Sequence, residues 1–129
     1  MPSVKTATSG FRTLIVWQEA KKLTCTIYKI TKNFPEEERF HLVPQMRRAA
    51  TSSMANLAEG SAMKTASHRN SYYTRAKGSV IEVDNFAELA LELEYIAPED
   101  YEMIIDHCGR LAYLIEKLIK SSPPDLKTY

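Results

Sequence analysis

The sequence predicts an all-α protein, an antiparallel up-down-up-down four-helix bundle. Three observations carry this: four stretches in which apolar residues recur every three or four positions, prolines confined to the ends of those stretches, and no competing strand pattern. At 129 residues, with 44% hydrophobic and 26% charged residues, the composition is that of one ordinary globular domain with a single core and not of a disordered chain.

Met1 to Gly10 is rich in Ser, Thr and Gly without periodicity and is expected to be a flexible arm. The arm is taken to residue 12, the bundle domain to span 13–121, and 122–129 to form a C-terminal tail. From about Thr13, Leu14, Trp17, Ala20, Leu23, Ile27, Ile30 and Phe34 step by three or four and predict the first helix, which Pro35 ends because it pushes its predecessor away from helical angles. Glu36, Glu37 and Glu38 suit a short helical turn reaching no further than Leu42.

Pro44 fits the first turn of a second helix, expected from about Pro44 to Met63 with Gly60 near its end. Thr65 or Ser67 caps a third helix, in which Tyr72, Ala76, Ser79, Val80, Val83, Phe86, Ala87, Ala90 and Leu93 keep the period to about Tyr95. Gly78 inside it costs about 1 kcal/mol relative to Ala. A close backbone contact with the second helix explains such a glycine; plain tolerance is the alternative. Pro98, Glu99 and Asp100 open the fourth helix, where Tyr101, Ile104, Ile105, Cys108, Leu111, Ala112, Ile115, Leu118 and Ile119 repeat to about Lys120.

The second helix is unusual in its buried stripe. Met46, Ala49, Ala50, Ser53, Leu57 and Gly60 share one face, and most are small, which suits close helix contact. Arg47, Arg48, Asn56 and Glu59 lie around that face.

Several function classes find no support. No apolar run approaches the roughly 20 residues of a membrane span, and Met1 to Gly10 lacks a secretory apolar stretch, so a cytosolic location is expected. Cys25 and Cys108 are far apart without CxxC spacing and are expected to be reduced thiols. His41, His68 and His107 are isolated, as surface or capping histidines are. Neither a P-loop nor a GxGxxG nor a GxSxG motif is present, and a di-iron bundle would need two Glu-x-x-His motifs where only Glu38 to His41 fits. No catalytic residue, cofactor or metal is expected.

The residues Leu14-Ile15-Val16-Trp17-Gln18-Glu19-Ala20, Tyr28, Phe34-Pro35, Glu38-Arg39-Phe40, Gln45-Met46-Arg47-Arg48-Ala49-Ala50, Asn56-Leu57-Ala58-Glu59-Gly60 and Ala76-Lys77-Gly78-Ser79 resemble the 23S ribosomal RNA intervening-sequence protein family, also called four-helix bundle proteins. The resemblance covers about Phe11 to Ile119. It implies a small bacterial four-helix bundle that assembles into a homopentamer, with a biochemical role that is mostly unassigned. A more distant relative, the accessory variability determinant of diversity-generating retroelements, binds nucleic acid and a reverse transcriptase, and that partnership reaches this chain only as analogy. Val43-Pro44 departs from the Thr-Ser-like cap of the family motif, and Ala62-Met63 stands where a basic residue is frequent.

Charge is divided unevenly. Residues 1–43 carry seven basic and four acidic groups, 44–78 six and one, and 79–129 four and eleven, giving +3, +5 and −7. Two readings follow. In the first, the chain is a non-enzymatic homo-oligomer in which Arg47, Arg48, Asn56, Glu59, Gly60, Gly78 and Glu82 set helix register or the subunit interface, the arginines neutralising acids of the same chain or Asp84, Glu88, Glu92 and Glu94 of a neighbour. In the second, Arg47, Arg48, Lys64, Arg69, Arg75 and Lys77 form a phosphate-binding patch for RNA, with Tyr73 as a stacking ring beside them. The other aromatics, Trp17, Tyr28, Phe34, Tyr72, Phe86, Tyr95 and Tyr101, have the helical spacing of core and interface residues. A third class, a hydrolase or metal enzyme, would pair Glu59 with Glu82.

Overall fold

The computed structural model describes residues 10–121. A 3-10 turn at Gly10–Thr13 leads into α1 (Ile15–Thr31), a second 3-10 turn covers Glu36–Glu38, and α2 (Leu42–Ser61), α3 (Ala66–Glu92) and α4 (Pro98–Ser121) follow. The chain is a four-helix bundle without strands among the described residues. Among the described residues no helix is long and apolar enough to cross a membrane. The expected arm falls outside the described residues for positions 1–9, as does the tail at 122–129.

Short connections make sequential helices neighbours. α2 packs most extensively on α3, then α3 on α4 and α1 on α2, and a thinner α1–α4 seam closes the ring. The core is a continuous cluster of Val16, Ala20, Leu23 and Ile27 from α1, Met46, Ala50 and Leu57 from α2, Ala76, Val80, Val83 and Ala87 from α3, and Ile104, Leu111 and Ile115 from α4. The small-residue stripe of α2 is buried in full, from Met46 through Ala49, Ala50, Ser53 and Leu57 to Gly60. It faces another lean stripe, Ala76, Ser79, Ala87 and Ala90 of α3, which lets these two helices approach closely. Buried hydroxyls are satisfied by backbone: Ser53 Oγ donates to Ala50 O at 2.7 Å, and Thr24 Oγ1 lies 2.8 Å from Ala20 O and 3.1 Å from Ala50 O across the α1–α2 contact.

The helix ends differ from the periodicity at three places. α1 stops at Thr31, before the expected Phe34, which is buried in the turn that follows. α2 begins at Leu42, so Pro44 is its third residue, where a missing N–H breaks no helical bond. α3 ends at Glu92 because Glu94 takes φ 62°. There Tyr95 N–H donates to Ala90 O at 2.8 Å and Glu94 N–H to Leu91 O at 2.9 Å, a Schellman closure with glutamate at the left-handed position. The closure aims Tyr95 at the other corner of the same end, where its hydroxyl donates to Glu38 Oε2 at 2.8 Å and its ring lies 5.4 Å from that of Phe34. Thr65 caps α3 by accepting from His68 N–H at 3.2 Å.

Gly78 is corrected. It is exposed on α3, and a Cβ built there meets nothing within 4 Å, so it does not mediate a backbone contact with α2. Gly60 has that role: its Cβ would stand 2.7 Å from Cε1 of the buried Tyr73. Spacing already separates the two: Gly60 falls three residues after the core residue Leu57, whereas the residues three and four from Gly78 are Thr74, Arg75, Ile81 and Glu82, all exposed.

Candidate assembly surface on α2 and α3

Where α2 and α3 run side by side, their outward edges make a groove of about 210 Å³ lined by Gln45, Arg48, Ala49, Ser52, Glu82 and Phe86. Ser52 of this lining is fixed by hydrogen bonds. Asn56 Nδ2 donates to Ser52 O at 2.9 Å and to Ser52 Oγ at 3.1 Å, and the Ser79 hydroxyl donates to Ser52 Oγ at 2.9 Å, with Arg75 O at 3.2 Å as its alternative acceptor. These residues sit at the helix–helix contact because serine is small enough for the close approach and its hydroxyl finds a partner there. Arg48 and Glu82 line the same groove and are exposed. Phe86 and Leu89 of α3 and Leu93 just past its end continue from it at steps of three and four. Phe86 is half-buried, and Leu89 and Leu93 are 45% and 44% exposed.

The structure divides the sequence-predicted site residues. Arg47 is turned away from the groove, toward α1: its Nε donates to Thr31 Oγ1 at 3.0 Å, its Nη2 to Tyr28 O at 3.3 Å, and its guanidinium lies 4.6 Å from the Tyr28 ring centre. It pairs with neutral groups and an aromatic face and, among the described residues, not with an acid as expected. Adjacent helix positions diverge by about 100°, which separates Arg47 from Arg48. Glu59 is exposed and Asn56 is committed to Ser52, so the expected cluster of Asn56, Glu59 and Glu82 does not form within the chain. Gly60 is level with Tyr73, nine residues or about 13 Å along α3 from Glu82. Glu59 and Glu82 are therefore too far apart to act as a carboxylate pair. Among the described residues no three His, Cys, Asp or Glu side chains cluster as metal ligands do.

Of the residues expected in the phosphate-binding patch, Tyr73 and Lys77 are engaged within the chain. Tyr73, expected to be a stacking ring, is 3% exposed and its hydroxyl is held above its ordinary pKa by burial, with Arg69 opposing. Lys77 faces α4 and pairs with Glu116 at 2.9 Å, which holds the Glu116 carboxyl below its ordinary value chiefly through that hydrogen bond. Arg69 Nη1 donates to Lys64 O at 3.0 Å and Met63 O at 3.4 Å. Arg75 stacks over Tyr72 at 4.9 Å, and Lys64 is exposed at the α2–α3 connection.

His107, expected at the surface or at a cap, lies half-buried in the α1–α4 seam. Its Nε2 is 3.5 Å from Glu19 Oε2, an ion-pair distance for a protonated ring but outside hydrogen-bond geometry. Cys25 is an exposed thiol, and Cys108 a buried one pushed up to about 12, first by burial and then by Asp84.

The same fold is found in a crystal structure of a protein of unknown function from the S23 ribosomal protein family of Bacteroides thetaiotaomicron VPI-5482, with a TM-score of 0.74, 25% identity, and coverage of 83% of this chain and 100% of that one. No curated protein matches the chain. Neither the family description nor the structural neighbour indicates an enzymatic family. The motif residues around the α2–α3 groove fall inside residues 12–117, which match the family model described as 23S rRNA-intervening sequence protein, and the chain belongs to that family.

Proposed function

We propose that the chain is a non-enzymatic assembly module that joins copies of itself through the outer α2–α3 surface, five copies by the family resemblance. The observation that supports this is the outward placement of motif residues. Arg48, Ser52 and Glu82 line an open groove, and Ser52 is held in place by hydrogen bonds from Asn56 and from the buried Ser79. Small hydroxyl residues beside the apolar stripe of Phe86, Leu89 and Leu93 suit a second helix lying close, with the charged pair at the rim.

Sedimentation velocity at micromolar concentration tests the reading. The expected species is a discrete multiple of the 14.7 kDa chain, and Leu89→Lys with Leu93→Lys reduces it to a helical monomer. A monomeric wild-type protein sinks the proposal.

A further inference from the structure

α1 carries a second outward surface, separate from the α2–α3 groove. A groove of about 670 Å³ runs along this helix from Arg12 to Lys29, and Arg12, Lys21, Lys22 and Lys29 all line it. Rings are interleaved with these cations. The Arg12 guanidinium lies 4.6 Å from the centre of Phe11, Lys21 Nζ 5.6 Å from that of Trp17, and the Phe11 and Trp17 rings meet edge to face at 4.9 Å. Counter-charge is sparse. Lys22 reaches Glu19 at 3.7 Å, while Arg12, Lys21 and Lys29 have no acid at ion-pair distance among the described residues.

We infer that this face of α1 binds single-stranded nucleic acid, its cations on the phosphates and Trp17 beneath a base. A lysine resting on an aromatic ring is a displaceable cover: its flexible stem swings the ammonium to a phosphate and frees the ring face for stacking. A duplex keeps its bases paired and out of reach of such a ring, and an acidic peptide engages the cations but leaves the aromatics without a partner. Lys22 and Lys29, seven residues apart, extend the cationic track by about 10 Å. The surface is independent of the assembly proposed above: a monomer presents it once, and an oligomer repeats it in every copy.

Trp17 is the chain's one tryptophan, so its fluorescence reports stacking directly. The full-length protein is titrated at low salt with a 20-nucleotide oligouridylate and with the matching oligothymidylate. Quenching by either supports the inference, and their ratio tells RNA from DNA. The expected slope of log K against log salt is about −2.8, at about 0.7 per phosphate contact. Lys21→Glu with Lys29→Glu weakens binding at least tenfold and halves the slope, while Lys64→Glu leaves both unchanged. Absent quenching, equal quenching by polyglutamate, duplex bound as tightly as single strand, or unaltered binding by the double variant each overturns it. The oligomer mass, measured on the same samples, separates this outcome from that of the assembly reading.

Discussion

Gly60 lies directly beneath the ring of Tyr73: a Cβ on Gly60 stands 2.7 Å from Tyr73 Cε1 and 2.9 Å from Cδ1, closer than any side chain tolerates. The ring is buried and has no room to retreat. Gly60→Ala therefore destabilises by up to about 2 kcal/mol, overpacking of about 1–3 kcal/mol set against a helix-propensity gain of about 1 kcal/mol. Gly78→Ala, with open space around it, stabilises by about 0.5–1 kcal/mol. Urea unfolding of both, in the Leu89→Lys, Leu93→Lys background so that assembly does not enter, gives opposite signs.

Arg47 ties α2 to α1 through Thr31, the Tyr28 carbonyl and the Tyr28 ring, none of them charged. Arg47→Ala is expected to cost about 1–2 kcal/mol, with little dependence on salt. Lys77→Met, which breaks a half-exposed ion pair with Glu116, costs less, and its effect fades as salt rises. Thermal melts at two ionic strengths distinguish the two behaviours.

The two thiols differ in reactivity. Native protein is expected to react with one equivalent of a thiol reagent, at the exposed Cys25, and to release Cys108 only on unfolding. The Cys108 pKa is raised to about 12 from an ordinary 9.0. The unfolded thiol thus ionises first, and stability intact below pH 9 is lost as pH rises toward about 12, at most about 4 kcal/mol. Cys108→Ala makes this alkaline limb shallower in pH-dependent unfolding.

The acid limb has the opposite sign. The Glu116 carboxyl, depressed by Lys77, contributes stability that is present above the ordinary carboxylate range and lost as pH falls through its lowered folded pKa. Lys77→Met removes that portion, so denaturation curves of variant and wild type converge at low pH.

Glu94 holds a left-handed conformation that glycine adopts without strain. Glu94→Gly is expected to raise stability by roughly 0.5–1 kcal/mol, and Glu94→Val to lower it by more. Denaturant midpoints of the pair check this.

How far the fold was legible follows from these residues. Apolar periodicity predicts all four helices because each packs one face on a shared core. It misplaces their ends where a local feature intervenes, as the positive φ of Glu94 does. The buried stripe from Met46 to Gly60 is legible because small residues at helical spacing have few other uses. The partners of its polar neighbours are not: Arg47 and Arg48 are adjacent in sequence, yet Arg47 turns to α1 while Arg48 lines the α2–α3 groove, and Tyr73 follows Tyr72 but turns inward. The cationic face of α1 does leave a trace, since Trp17 and Lys21 stand four apart, but only the structure brings Phe11 and Arg12 alongside.

The hydrogen bond from Tyr95 to Glu38 joins groups 57 residues apart, linking the corner between the first two helices to the corner between the last two. It forms only when the two halves of the chain have met, which makes it a clock for folding. If docking of the halves follows the rate-limiting step, Tyr95→Phe speeds unfolding and leaves the refolding rate alone; if docking is the step itself, refolding slows.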